Sequence, residues 1–364
     1  MGKKVRVGLI YGGRSGEHEV SLQTALSVLQ AFDFNRYDIQ PFYITKQGEW
    51  LTDGFLSSVP ASVEELKFSH LGTAGSQAAI ASLFEGLGSD SQSRKLDVVF
   101  PLLHGTFGED GTIQGLLEMA NMPYVGAGVM TSAVGMDKIM MKKIFAQEGL
   151  PQCVYRYFNR TQWEKDPAFF IMEIEVSLGY PCFVKPANLG SSVGISKARN
   201  RDELQAAVAY ALRYDRKVVV EEFVHAREIE VSVLGNEEPR VSVVGEIISS
   251  GEFYDYQAKY VDGKSVMQIP AELPEETAEA VRSMALRAYL AIDGTGLSRM
   301  DFFMRKEDGK LFINEVNTMP GFTPFSMYPL MWKESGISYR ELLDTLITLA
   351  LDRHEAKQKL EYSN

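Results

Sequence analysis

The chain has 364 residues, 45% hydrophobic and 23% charged, with a formal net charge of -11. That length calls for two or three domains, and the composition is that of a soluble globular protein. The acidic balance argues against a nucleic-acid partner, which would need a basic face, and no apolar run reaches the roughly 20 residues that span a bilayer.

Residues 1–4 lead directly into a strand and not into a signal peptide, so a cytoplasmic protein is expected. Cys153 and Cys182 are too few and too far apart for a disulfide framework or a zinc site. Residues 4–11 read as a short apolar strand that runs into Gly12-Gly13-Arg14-Ser15-Gly16-Glu17-His18-Glu19 and then a helix to residue 32. Strand, glycine turn and helix N-terminus make an anion or small-ligand site. The glycine spacing lacks the third glycine of a dinucleotide fingerprint, which disfavours an NAD-dependent oxidoreductase. Glu19 is either a charge favoured by the helix dipole or a carboxylate that receives an ammonium group.

A second strand spans 39–44, and the polar stretch 52–94 carries no clear pattern. Residues 96–103 form a continuous apolar run of the buried parallel type, ending in His104-Gly105 and the loop Gly108-Glu109-Asp110-Gly111. Open α/β sheets bind ligands at such strand ends, although a structural histidine is the commoner outcome for an isolated case. A helix over 112–120 and a strand over 123–125 complete an α/β domain, residues 1–127.

Residues 131–148 have one helical pattern containing Lys138, and strands follow at 154–158 and 182–185. Lys185 ends its strand beside the Gly190-Ser191-Ser192-Val193-Gly194 turn, an arrangement suited to clamping phosphate, although the turn reads equally well as a hairpin tip. An amphipathic helix at 202–213 and a strand at 217–223 ending in Glu221 and Glu222 close a smaller α+β domain, 128–223. The last domain, 224–364, holds Glu228 and Glu230 in a strand, a tyrosine-rich loop at 249–264, helices at 274–291 and 339–350, and a hairpin.

That hairpin joins strands 297–304 and 310–317 through Asp308-Gly309. Alternation puts Arg299 and Asp301 on one face, with Glu315 and Asn317 on a face that can meet it. Two carboxylates and an amide oxygen suit magnesium carrying a polyphosphate, and Arg299 is left as a donor for developing negative charge.

Taken in order, these motifs resemble the ATP-grasp enzymes and, within them, the D-alanine–D-alanine ligases. The resemblance runs from Gly12-Gly13 through Met136-Asp137-Lys138, Lys185-Pro186, Tyr254-Asp255-Tyr256, Lys259-Tyr260 and Arg299-Met300-Asp301 to Glu315-Val316-Asn317-Thr318-Met319-Pro320-Gly321. It implies a three-domain ATP-grasp fold, α/β and α+β, with an N-terminal parallel-sheet domain. It also implies ATP-dependent joining of two D-alanines through a D-alanyl phosphate, for peptidoglycan precursors. Lys138, Lys185 and Lys259 would serve ATP, together with Glu221, Glu222, Val224, Glu228 and Asn314. Asp301, Glu315 and Asn317 would hold two magnesium ions, with manganese as the alternative. Glu19 would take the first ammonium and link with Ser191 and Tyr260; His104, Arg299, Gly321 and Ser326 complete the implied catalytic set. A tyrosine at 260 favours the dipeptide, with a D-alanine–D-lactate ligase or another carboxylate-amine ligase as the alternative. The family further implies a homodimer.

Overall fold

A computed structural model describes residues 3–68, 75–85, 95–190, 192–248 and 266–361. Three sheets organise them. The first contains β1 (Val5–Gly12), β2 (Tyr37–Ile44), β3 (Trp50–Leu51) and β4 (Val98–Pro101), in the order β3-β2-β1-β4. β1 is parallel to both β2 and β4, whereas the short β3 is an antiparallel edge. Val7, Leu9, Ile10, Val98, Val99 and Phe100 are fully buried, as expected of parallel strands covered on both faces. The 123–125 strand reduces to one bridge, Tyr124 against Val99. Within the poorly patterned 52–94 stretch, a 3-10 turn at Val63–Leu66 and a helix at Ser76–Leu83 lie against the sheet, where Tyr11 donates to the Leu66 carbonyl at 3.1 Å.

The expected single helix over 131–148 is two helices, Val129–Met136 and Lys138–Gln147. Asp137 between them is extended, and its carboxylate accepts from the Ile139 and Met140 amides, so it starts a new helix with its own cap. This cap gives Lys138 its place at the first helical turn.

The second sheet contains β5 (Tyr155–Asn159), β6 (Cys182–Pro186), β7 (Ser196–Ala198) and β8 (Lys217–Glu222), in the antiparallel order β5-β8-β6-β7. Helices at Arg160–Lys165 and Pro167–Ser177 were not anticipated; an Asn159 capping box and an Asp166 cap start them. The third sheet has the order β11-β10-β9-β12-β13, from β9 (Ala226–Leu234), β10 (Arg240–Ile248), β11 (Val266–Gln268), β12 (Leu297–Arg305) and β13 (Leu311–Asn317). The Glu275–Ala291 helix covers it, and Met141, Phe145 and Leu150 join the same core. The closing helix, Tyr339–Gln358, is longer than expected. It packs Leu342, Leu346 and Ile347 into the core of the first sheet, together with Phe322 and Tyr328. The third sheet's C-terminal segment is therefore fastened to the N-terminal strands.

Candidate active site

The shared face expected of the hairpin is present. Arg299 lies opposite Asn317 and Asp301 opposite Glu315, and the register shifts just after Asp301. A bulge there bends the strand beside the site. Asp301 accepts from Arg299 Nε and Nη2, both at 2.7 Å, and from Asn317 Nδ2 at 2.9 Å. Arg299 Nε is also 3.0 Å from Glu230 Oε2 on the neighbouring strand. Burial works against the Arg299 charge, but Asp301 and Glu230 outweigh it and hold the guanidinium well above its usual range.

This cluster separates two cavities. One, of about 520 Å³, is lined by Lys185, Glu221, Glu222, Val224, Glu228, Asn314, Asp301 and Glu315. The other, of about 490 Å³, is lined by Glu17, His104, Gly190, Arg299, Asn317, Gly321 and Ser326. Asp301 and Glu315 thus face one space while Arg299 and Asn317 face the other. A narrow recess of about 60 Å³ adds Lys138 between Glu315 and Leu189.

Two buried lysines approach the carboxylates. Lys138 Nζ donates to the Leu189 carbonyl at 2.8 Å and lies 3.9 Å from Glu315 Oε2. Burial lowers its pKa, with the Glu315 charge opposing. Lys185 Nζ donates to Glu221 Oε2 at 2.5 Å, and Lys142 Nζ lies 2.8 Å from Glu221 Oε1. Burial works against the Lys185 charge as well, but Glu221 and Glu315 outweigh it and raise its pKa. For Glu221, burial favours the neutral acid, yet the two lysines pull the carboxyl far below its ordinary range. Its carboxylate is therefore committed to lysines and not directed at a base. Glu222 likewise accepts from the Val154 amide at 2.7 Å. Both residues still line the larger cavity.

Glu19 requires a correction. It sits at the cavity rim, half-exposed, with Lys46 at 2.8 Å and Lys67 at 3.7 Å from its oxygens. Those lysines, Lys46 first, hold its pKa low and occupy the charge that an incoming ammonium would need. Glu17 is the inward carboxylate. A Cβ at Gly105 would stand 2.7 Å from Glu17 Oε2 and one at Gly190 3.2 Å away, so two glycines make room for it. Residues two apart at the start of a helix do not share a face, in keeping with Glu17 turned inward and Glu19 left at the rim.

His104 is not poised for proton transfer. Its Nδ1 is 3.1 Å from the Met319 carbonyl, which can only accept, so Nδ1 carries the hydrogen. Nε2 then accepts from Thr24 Oγ1 at 3.2 Å. Burial lowers the His104 pKa, in keeping with this neutral ring. Ser326 Oγ accepts from the Thr323 amide at 3.1 Å and lies beside Gly321. Ser191, Lys259 and Tyr260 lie outside the described residues.

The sequence reading missed Glu109, whose Oε2 accepts from the Gly105 amide at 2.6 Å and Oε1 from the Met319 amide at 3.0 Å. Burial first, then the charge of Glu17, push it up to about 8. Its place in the Gly108–Gly111 motif was the available signal. Lys142 was also missed, and its spacing of four from Lys138 could have pointed to it.

The model of the D-ala D-ala ligase N-terminus matches residues 6–127, and that of the D-ala D-ala ligase C-terminus matches residues 144–348. The chain belongs to the D-alanine–D-alanine ligase family. It is 54% identical over 361 residues to the D-alanine–D-alanine ligase of Bacillus licheniformis and 52% identical over 360 residues to that of Bacillus cytotoxicus, with 99% of each chain covered in both cases. Among solved structures of the family, the Coxiella burnetii D-alanine–D-alanine ligase aligns with a TM-score of 0.80 at 32% identity, covering 98% of this chain and 97% of that one. The VanG D-Ala:D-Ser ligase of Enterococcus faecalis aligns at 0.82 and 35%, covering 96% and 100%. The ATP-grasp fold expected from the motifs, α/β and α+β with a largely parallel N-terminal sheet, is the fold of this family.

Proposed function

We propose that this chain joins two D-alanines to D-alanyl-D-alanine at the expense of ATP, which becomes ADP and phosphate, to supply peptidoglycan synthesis. The carrying observation is the Arg299-Asp301-Glu315-Asn317 cluster between two cavities, one lined by Lys185 and apolar side chains and the other by Glu17, Gly321 and Ser326.

In this reading the larger cavity takes the nucleotide. Val224 and the strand end at Glu221 and Glu222 border the base, Glu228 the ribose, and Asn314 the floor. Lys138 and Lys185 neutralise phosphate oxygens. Asp301, Glu315 and Asn317 fit magnesium, with manganese as the alternative ion: they are hard oxygen donors. Among the described residues no group of three or more His, Cys, Asp or Glu could hold a metal unaided, and Mg²⁺ characteristically completes a set of one or two carboxylates with phosphate oxygens. When bound, two such ions would offset charge on the transferring phosphoryl group.

Glu17 receives the ammonium of the first D-alanine and aims its carboxylate at the γ-phosphorus. Attack expels ADP and leaves an acyl phosphate, because oxide would be too poor a leaving group. The free amine of the second D-alanine, bound near Ser326, attacks the acyl carbon. Arg299 and the Gly321 amide stabilise the tetrahedral oxyanion, a contribution of about 3 kcal/mol, and phosphate then departs. Ser191 and Tyr260 are assigned to closing the site against water, which would hydrolyse the acyl phosphate, and Lys259 to ATP.

The domain division 1–127, 128–223 and 224–364 goes with this reading, with ATP between the second and third units. A cytoplasmic homodimer with no nucleic-acid or membrane partner is proposed as well. In support, no helix among the described residues is long and apolar enough to cross a membrane.

The test is ADP release and product analysis with ATP, magnesium and D-alanine, set beside L-alanine, D-lactate and D-serine. The D-Ala:D-Ser ligase among the similar structures makes D-serine the informative comparison for the second subsite. No ADP with D-alanine would end the proposal; more product with D-serine or D-lactate would transfer it to the second reading.

A further inference from the structure

Met319 lies two residues after Asn317 and two before Gly321, on a segment that is neither helix nor strand. No backbone-to-backbone hydrogen bond holds Met319 among the described residues. Both of its polar backbone groups are nevertheless held, each by a side chain from the N-terminal part of the chain. Its amide donates to Glu109 Oε1 at 3.0 Å, and its carbonyl accepts from His104 Nδ1 at 3.1 Å. Glu109 Oε2 in turn accepts from the Gly105 amide at 2.6 Å, and the Thr24 hydroxyl holds the other side of the His104 ring by donating to Nε2 at 3.2 Å. Thr24, His104 and Met319 are buried and Glu109 is partly buried, so water has little access to these bonds.

We propose that Thr24, His104 and Glu109 form a clamp on the Met319 backbone that positions Gly321 and Ser326 for the second amino acid, and that Glu109 and His104 are positioning residues for the acceptor half-reaction. The inference rests on the ligase reading. A loosened clamp moves the Gly321 amide and the Ser326 subsite, whereas Lys138, Lys185 and the nucleotide cavity are fixed by other elements. Acyl phosphate formation then persists while capture by the amine fails. The stranded acyl phosphate takes up water instead, giving D-alanine and phosphate, and ADP appears without dipeptide.

The distinguishing measurement is the ratio of dipeptide to ADP in Glu109→Gln and in the pair Thr24→Val and Thr24→Ser, alongside D-alanine and ATP KM values. Glutamine keeps one acceptor but turns an N–H₂ toward a backbone N–H; valine removes the hydroxyl, and serine restores it. Loss of one such buried bond should raise the D-alanine KM of the acceptor step by about tenfold. The dipeptide-to-ADP ratio should fall in Glu109→Gln and Thr24→Val, recover in Thr24→Ser, and leave the ATP KM within about twofold of wild type. A wild-type chain that releases no ADP with D-alanine overturns the ligase reading, and the clamp with it. A coupled wild type whose variants lose ADP and dipeptide in equal proportion, or lose neither, overturns the clamp alone. If Glu109→Gln does not fold, the threonine pair decides the matter.

Discussion

Lys142 and Glu221 form an ion pair of 2.8 Å with side chains 1% and 4% exposed, and the second Glu221 oxygen takes Lys185 at 2.5 Å. One buried carboxylate thus holds two lysines. A single lysine would leave Glu221 uncompensated whenever it turned to a phosphate; with Lys142 in place, Lys185 can do so without stranding a buried charge.

Replacing Lys142 with Met should therefore do two things. Denaturant unfolding should show a loss of about 3 kcal/mol, the usual cost of breaking one side of a buried pair. The ATP KM should also rise, because Glu221 now competes with phosphate for Lys185. An unchanged ATP KM in a destabilised but folded variant would show that Lys142 serves stability only.

The hairpin was legible because its signals are local: alternation fixes the face, and Asp308-Gly309 fixes the turn, where Gly309 has a φ of +71°. The two-helix break at Asp137 was hidden because the apolar period continues through it, and a cap is visible only once its amide partners are placed. Glu17 and Glu19 share one motif, and which faces inward depends on the exact start of the helix, the least readable feature of a sequence. Glu109 stood in a visible glycine motif, but its role was hidden for another reason. Its partners are backbone amides, one of them 210 positions away, and backbone groups leave no residue-type signature.

The choice between the two acids can be tested directly. Glu17→Gln should raise the D-alanine KM by about tenfold or more, since the ammonium loses a charge-assisted partner. Glu19→Gln should leave it near wild type, because its carboxylate already serves Lys46 and Lys67. Initial rates of ADP release against D-alanine concentration give both numbers. The reverse pattern would return the ammonium to Glu19.

Arg299→Lys keeps a positive charge between Asp301 and Glu230 but loses the planar fork that bonds both Asp301 oxygens. If Arg299 stabilises the oxyanion, kcat for dipeptide should fall by about a hundredfold, with the ATP KM little changed. Retention of kcat within about twofold would leave Arg299 a structural counter-ion.

Asp97 offers a pH test away from the site. Its carboxylate accepts from Arg6 three times: the amide at 2.8 Å, Nε at 3.1 Å and Nη2 at 2.8 Å, tying β1 to the start of β4. Burial alone would raise its pKa, but the Arg6 bonds outweigh burial and lower it below the ordinary 3.8. A carboxyl depressed by folding binds its proton more readily in the unfolded chain. Its stabilisation is thus present in full above the unfolded pKa and disappears as pH falls through the folded value. Asp97→Asn should cost about 1 to 3 kcal/mol at pH 7. The gap from wild type should hold to about pH 5 and narrow steadily below the ordinary aspartate pKa. Unfolding midpoints measured from pH 7 down to the limit of reversible folding check this. A gap that stays constant across that range would mean the contribution of Asp97 comes from packing and not from its charge.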